Sequence, residues 1–584
     1  MRGRFALVLA LLLGLLGLPG VAAAEKEPVA VGTGGAAASV DLLATQAAIE
    51  VLDDGGNAVD AAVAAAAVLG VTEPYSSGIG GGGFMVIYRA SDGSVTTIDA
   101  REKAPAAMPP GAFLENGAPL PFNSARYSGL SVGVPGTVRG WNVALQDFGT
   151  MSLAELLRPA IAVARDGFTV DQTFFDQTQQ NVDFFDDITS TRAVFLEADG
   201  TPYDVGETFR NPDMARAYER IVRLGPKGFY RGDIADAMVT SVQDPPVAPD
   251  ANHVWRAGSM TMRDVRAYSA PKRAPTVITY RGLQVYGMGP PSSGGSTVGE
   301  ALNILEGFDM SGDRVQALHR YFEASALAFA DRGQFLADPD FVEIPLAGLL
   351  SDSFAAERRT LIGPTAATKP VPPGDPTDNE GPSTTHLTVA DDDGNVVTYT
   401  FTIESTGGSG ITVPGYGFLL NNELTDFNFT TGTANSPDGG KRPRSSMSPT
   451  IVTQDGEPIL ALGSPGGSMI ITTVAQILLN DLDFGMDLPA AIAAPRASQR
   501  NTATVSAEPA FISSAEGQAL IGLGHAYTST SEIGAATGIA FLPDGLFQAV
   551  AEPVRRGGGS AMVVEPSAAA GAQGIAVARR ARLP

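Results

Sequence analysis

The sequence predicts a mixed α+β fold. Residues 25–100 alternate helix-like and strand-like segments, residues 150–335 read mainly as helix, and from Thr384 onward the pattern turns to strands. Ala36–Leu52 is alanine-rich with apolar spacing suited to a helix, and Ala58–Leu69 repeats the pattern after the break at Gly55-Gly56-Asn57. Gly78, Gly80 and Gly83 fit G-x-G-x-x-G, but they precede the strand-like Phe84–Tyr88 rather than a helix. They are therefore read as close backbone packing and not as a dinucleotide site. Leu153–Arg165 and Val315–Asp331 carry helical periodicity. The extended stretch Thr276–Met288 leads into Gly289-Pro290-Pro291-Ser292-Ser293-Gly294-Gly295, which lacks the first glycine of a serine elbow and reads as a structural turn. Pro364–Pro382 holds six prolines and almost no apolar periodicity, the pattern of an exposed, flexible connector.

Composition narrows the function. Arg2 and Arg4, the apolar run Phe5–Leu18 and the small residues Ala22-Ala23-Ala24 read as an export signal, so a periplasmic or extracellular location is expected. Nothing later is apolar for long enough to span a membrane. Cysteine is absent, which excludes thiol catalysis, zinc–thiolate sites and disulfides. The four histidines, His253, His319, His386 and His525, include no pair at helical metal-ligand spacing, so no metal is expected. The leader carries two arginines and no acid, so its loss takes the formal charge from −24 to −26. That charge argues against nucleic acid and anionic membrane surfaces as partners.

Chemistry gathers at Thr384. The stretch TTHLTVADDDGNVVTYTFTIE holds two alternating strand segments around Asp392-Asp393-Gly394, a hairpin signal. With a three-residue loop and Gly394 left-handed, paired residue numbers sum to 786. Thr384 then lies opposite Thr402, with Glu404 on the same face as Thr402; a two-residue Asp-Gly turn would shift the pairing by one. A threonine hydroxyl needs a base beside it to become a nucleophile. An N-terminal threonine carries its own, an α-amino group titrating at roughly 7.7–8.0. Thr384 starts a strand directly after the flexible connector, where a chain cut would expose it. Downstream lie a polar cluster at Glu423–Asp426, the hydroxyl pair Ser445-Ser446 and a glycine-rich turn at Gly463–Ser468.

Several longer motifs carry a resemblance. GGNAVDAAVA (55–64), GIGGGGFM (78–85), AREKAP (100–105), GVPGTVRG (133–140), ADRGQFLADPDF (330–341), TTH (384–386), LLNNELTDF (419–427), KRPRSSMSPTI (441–451) and GSPGGS (463–468) occur in the order seen in gamma-glutamyltransferases (gamma-glutamyltranspeptidases). The chain resembles that family of the N-terminal-nucleophile hydrolase superfamily from about Gly32 to about residue 550. The resemblance implies a four-layer αββα sandwich built jointly by two chains of one self-cleaved precursor. These would be a large subunit of residues 25–383 and a small subunit of 384–584.

It also implies roles for individual residues. Thr384 would attack the Ser383 carbonyl, cut the chain there, and then serve as catalytic nucleophile. Thr402 would orient it, and Gly466 and Gly467 would supply oxyanion-hole N–H groups. Arg101, Ser445 and Ser446 match donors to a substrate carboxylate, and Glu404, Glu423 and Asp426 match positions around its ammonium, with the charges sorted between the two ends. The implied activity is cleavage of gamma-glutamyl amides such as glutathione through a gamma-glutamyl-Thr384 ester, passed to water or to amino acid and peptide acceptors, with no cofactor.

Two departures stand out. Some members carry Asn and Gln where this chain has Glu404 and Glu423. Only 14 residues separate Asp426 from Lys441, as in the lidless bacterial type, which implies an open site and substantial hydrolysis beside transfer. The alternatives are a glutaryl or cephalosporin acylase of the same fold, whose substrates lack the ammonium, and an uncleaved, inactive member with a binding role.

Overall fold

The computed structural model describes residues 26–372 and 384–567. The strands are β1 (Val29–Ser39), β2 (Gly82–Arg89), β3 (Ser94–Asp99), β4 (Lys272–Arg273), β5 (Thr276–Tyr280), β6 (Leu283–Gly287), β7 (Thr385–Asp391), β8 (Val396–Thr402), β9 (Thr450–Gln454), β10 (Glu457–Gly463), β11 (Thr537–Phe541), β12 (Phe547–Val550) and β13 (Ser560–Pro566). They join in the order β4-β3-β2-β8-β7-β1-β12-β11-β10-β9-β6-β5, with β13 also on β1. The hydrogen-bonded path folds back on itself, so that β8 packs on β10, β2 on β9, and β7 on β10 and β11.

Helices cover both outer faces. α1 (Leu42–Asp53) and α2 (Ala58–Thr72) lie on β1, β7 and β8. α3 (Gly294–Glu306) covers β5 and β6, α4 (Arg314–Phe335) packs on α3, and α5 (Met469–Leu482) lies against β10. The order is helix, sheet, sheet, helix, as expected for the αββα sandwich. The strand period of two divides each strand between two cores. Phe84, Val86 and Tyr88 of β2 enter the cluster between the sheets, while Met85 and Ile87 join the cluster under α2.

The expected helix over 36–52 is corrected at its start. Ala36–Ala38 belong to β1 and pair with β7 on one side and β13 on the other. Two sheet partners satisfy the backbone there and override alanine's helix preference, as tertiary context readily does. The helix begins only after Asp41, whose carboxylate accepts the Ala44 N–H at 2.9 Å. The expected helix over 153–165 is two short ones, Leu153–Leu156 and Arg158–Asp166. In α2, Asn57 and Asp60 form a capping box and all of Ala58–Thr72 is buried.

The hairpin register is the expected one. Thr385 pairs with Phe401 and Ala390 with Val396, so the sum is 786, and Gly394 has φ 86°. β8 is also covered on its other edge by β2. The glycine run before β2 is indeed a close approach, since a Cβ on Gly81 would stand 1.9 Å from the Thr402 carbonyl oxygen.

The first part of the connector is anchored rather than loose. Ala366 N–H donates to Leu523 O at 2.8 Å, and Asn501 grips Val371 through both its amide groups at 2.7 and 3.0 Å. The expected signal (1–24), the expected cut-site residue Ser383 and the tail beyond 567 lie outside the described residues. Among the described residues no helix is long and apolar enough to cross a membrane.

Candidate active site

Thr384 sits immediately before β7, 4% exposed, with φ 108°. Such a backbone angle is rare for a β-branched residue and costs on the order of 1–3 kcal/mol. Its hydroxyl donates to Thr402 Oγ1 at 3.2 Å, and Thr402 Oγ1 also accepts the Glu404 N–H at 2.8 Å. Its carbonyl oxygen accepts from Arg556 Nη1 at 2.8 Å. His386, two residues on, is buried among Thr388, Thr398 and Thr400, and burial pushes its imidazole down to about 3. It is neutral at working pH and occupied by hydroxyl partners.

Glu404 reaches the site by a route that strand alternation does not describe. β8 ends at Thr402, and Glu404 has a left-handed backbone, φ 77°. Its carboxylate is held by Ser405 Oγ and Asn422 Nδ2, with Thr425 Oγ1 at 3.4 Å.

Arg101 is 1% exposed and held in plane by carbonyls: Nε donates to Pro443 O at 3.1 Å and Nη2 to Arg444 O at 3.0 Å. Its guanidinium pairs directly with Glu423 through Nη1 and with Asp426 through Nη2. The expected sorting of charge to two ends is therefore corrected. Cation and acids meet, because burial makes an unpaired charge costly. An incoming carboxylate must share Arg101 with its two acids. One arginine against Glu404, Glu423 and Asp426 leaves the site formally negative, which suits a ligand that also brings an ammonium.

Ser445 and Ser446 are 2% and 4% exposed. Ser292 and Ser293, in the turn read as structural, hold this segment: Ser293 N–H and Oγ both donate to Ser445 O. Arg332 Nη2 donates to Ser446 Oγ at 2.7 Å. Gly466 (φ 131°) and Gly467 (φ 56°) turn the chain from β10 into α5. Among the described residues neither of their N–H groups is taken by a protein acceptor, and both precede the positive end of α5.

Nine of the ten residues expected here line one cleft; the tenth, Gly466, adjoins Gly467 in the chain. Met447 and Ile470 complete the lining and were not anticipated. The short segment 427–440 turns into a neighbouring apolar cluster, where Phe429 stacks on Phe113 at 4.5 Å. Behind Arg101, Glu102 is fully buried and burial pushes its carboxyl up to about 8.

One cluster elsewhere has metal-ligand composition: His319, Glu323 and His525 place ligand atoms within 4.8 Å of one another. His319 and Glu323 lie one turn apart on α4, a spacing that counting histidine pairs alone overlooks. Lys369 Nζ already meets both Glu323 oxygens at 2.8 and 2.9 Å, and His319 Nδ1 faces His525 Nε2 at 2.8 Å. The lysine supplies the counter-charge that a metal would bring.

The family model for gamma-glutamyltranspeptidase matches residues 44–562. A glutathione hydrolase proenzyme of Bacillus subtilis (strain 168) is 39% identical over 557 residues, covering 91% of this chain and 92% of the relative. The proenzyme of the same name from Escherichia coli (strain K12) is 40% identical, covering 79% and 80%. Among solved structures, a cephalosporin acylase from Bacillus halodurans aligns with TM-score 0.82 and 29% identity, covering 94% of this chain and 99% of that one.

Proposed function

The chain belongs to the gamma-glutamyltranspeptidase family, and we propose that Thr384 is both the site of its self-cleavage and its catalytic nucleophile. It is an enzyme of gamma-glutamyl chemistry, a gamma-glutamyltransferase and glutathione hydrolase. The observation that carries the assignment is Thr384 Oγ1 bonded to Thr402 Oγ1, in one cleft with Arg101, three acids and the Gly467 turn.

In the self-cut, Thr384 Oγ bonds to the Ser383 carbonyl carbon, the Ser383–Thr384 C–N bond breaks, and the hydroxyl proton passes to the nitrogen. Water then opens the ester, leaving a Ser383 carboxylate and a free Thr384 amine. In turnover that amine takes the proton of the Thr384 hydroxyl, whose oxygen bonds to the gamma-glutamyl carbonyl carbon; the substrate amide C–N bond then breaks, and the departing amine carries off the proton. Gly466 and Gly467 N–H groups receive the developing oxyanion. Arg101, shared with Glu423 and Asp426, takes the substrate α-carboxylate together with Ser445 and Ser446, and the same acids with Glu404 take the α-ammonium. The acyl ester is resolved by water or by the amine of an amino acid or peptide. The mature enzyme is a heterodimer of residues 25–383 and 384–584, exported by its leader.

N-terminal sequencing of the expressed protein tests this. A fragment beginning TTHLTV is expected from the wild type and a single uncut chain from Thr384→Ala; cleavage of that variant would overturn the assignment. A second reading, an acylase acting on substrates without the ammonium, is favoured by the likeness to the cephalosporin acylase structure. Comparing turnover of gamma-glutamyl and glutaryl anilides separates the two.

A further inference from the structure

Arg556 stands 172 positions after Thr384, yet its guanidinium closes on the Thr384 carbonyl oxygen at 2.8 Å. Its other nitrogen, Nη2, donates to Ser76 Oγ at 2.6 Å and pairs with Glu73 Oε2 at 3.2 Å. Glu73 and Ser76 follow the end of α2, so one planar fork spans from the far end of the chain to residue 384 and to the large-subunit side. The root of the side chain is fixed as well. Arg556 is left-handed at φ 53°, its N–H donates to Glu532 Oε2 at 3.1 Å, and its carbonyl accepts from Thr173 Oγ1 at 3.1 Å.

Thr384 is held at φ 108°, in the region L side chains rarely adopt. That torsion is a constraint only while residue 383 is attached through a peptide bond. Once the bond is cut, the nitrogen is a free amine and the torsion relaxes. Holding the strain requires the carbonyl side of Thr384 to be fixed, and Arg556 together with the first β7 pair fixes it.

We propose that Arg556 is the positioning residue of the self-cut, clamping the Thr384 peptide plane so that backbone strain falls on the Ser383–Thr384 bond. The inference rests on Thr384 being the cut site. Arg556 gives up no proton: the Thr384 Oγ–C bond forms, the C–N bond breaks, and the proton moves from Oγ to N. After the cut the same contact fixes the direction of the Thr384 amine and hydroxyl, so turnover depends on it too, through kcat rather than through substrate binding.

The test follows conversion of the intact chain to two chains over time in the wild type, Thr384→Ala, Arg556→Ala and Arg556→Lys, with free guanidinium added at millimolar concentration to Arg556→Ala. Arg556→Ala is expected to mature at least about tenfold more slowly, and once cut to show lower kcat with KM changed less than about twofold. Arg556→Lys, which keeps one donor, is expected between the two, and guanidinium is expected to speed Arg556→Ala. Wild type that stays uncut, or Thr384→Ala that is cut, would sink the cut-site reading itself. With that reading intact, maturation of Arg556→Ala at the wild-type rate overturns the positioning role. Should Arg556→Ala not fold, the lysine variant decides alone: a wild-type maturation rate, or a loss confined to KM, counts against the proposal.

Discussion

Thr402 Oγ1 accepts two donors at once, the Thr384 hydroxyl at 3.2 Å and the Glu404 N–H at 2.8 Å. One oxygen thus sets the direction of the Thr384 hydroxyl, the proposed nucleophile, and pins the turn that carries an acid into the cleft. Thr402→Ala removes both functions and is expected to lower kcat on a gamma-glutamyl anilide about 10²-fold and to slow self-cleavage. Thr402→Ser keeps the oxygen and should stay within about tenfold of wild type. Steady-state kinetics and a gel time course read the two effects separately.

Gly466 has φ 131°, outside even the left-handed helical region, and its N–H precedes α5. An alanine there must rotate the peptide and withdraw the donor. Gly466→Ala is expected to cost about 10²–10³ in kcat, with KM little changed. Loss confined to KM would remove Gly466 from the oxyanion site.

Arg101 bridges Glu423 and Asp426 with the two arms of its fork, a geometry a lysine ammonium cannot reproduce. Arg101→Lys should lower kcat/KM about 10²-fold, mainly through KM. Asp426→Asn should raise KM for gamma-glutamyl anilide and leave a glutaryl anilide unaffected or improved. Equal losses on both substrates would detach Asp426 from ammonium recognition.

Acid stability follows from two buried imidazoles. Burial lowers His386 to about 3 and His525 to about 4, both from 6.5. Below 6.5 the unfolded chain takes up protons that the folded chain refuses. Stability is therefore full above that pH and is lost as pH falls toward 4. The urea midpoint should drop between pH 7.5 and 5, and His386→Gln should drop less over the same interval.

Glu102 works in the opposite direction. Burial raises its carboxyl from 4.5 to about 8, so the folded chain holds a proton that the unfolded chain releases. Its contribution is fully present below 4.5 and is lost as pH rises through 8. Glu102→Gln, neutral at every pH, should be the more stable protein at pH 9 and close to wild type only near pH 4, with a smaller gain already visible at pH 6. Thermal melts at these values decide it.

The hairpin was legible because its information is local. A period-two pattern and one glycine able to take φ 86° set the 384–402 pairing. The start of α1 was not, since Ala36–Ala38 take strand geometry from partners more than 300 positions away, in β7 and β13. Glu404 was placed in the right cleft for the wrong reason. Its left-handed backbone is stabilised by Ser405, Asn422 and Thr425, and only two of those contacts come from beyond its own turn. Arg556 carried no local signal, because its partners Thr384, Glu73 and Ser76 lie far off in the chain.

The sequence by itself determined which chemical groups are present and in what order: a threonine after a connector, a hairpin partner, a glycine turn, one arginine and three acids. Those follow from short-range periodicity and turn chemistry, together with the motif order. Only the tertiary structure decided how the charges meet. Arg101 is shut away from water, where an unpaired guanidinium is costly, and it therefore takes Glu423 and Asp426 as partners rather than standing apart from them. It alone decided, too, that a distant arginine holds the Thr384 carbonyl, because that contact exists only once β7 and the turn between β12 and β13 are brought together in one sheet.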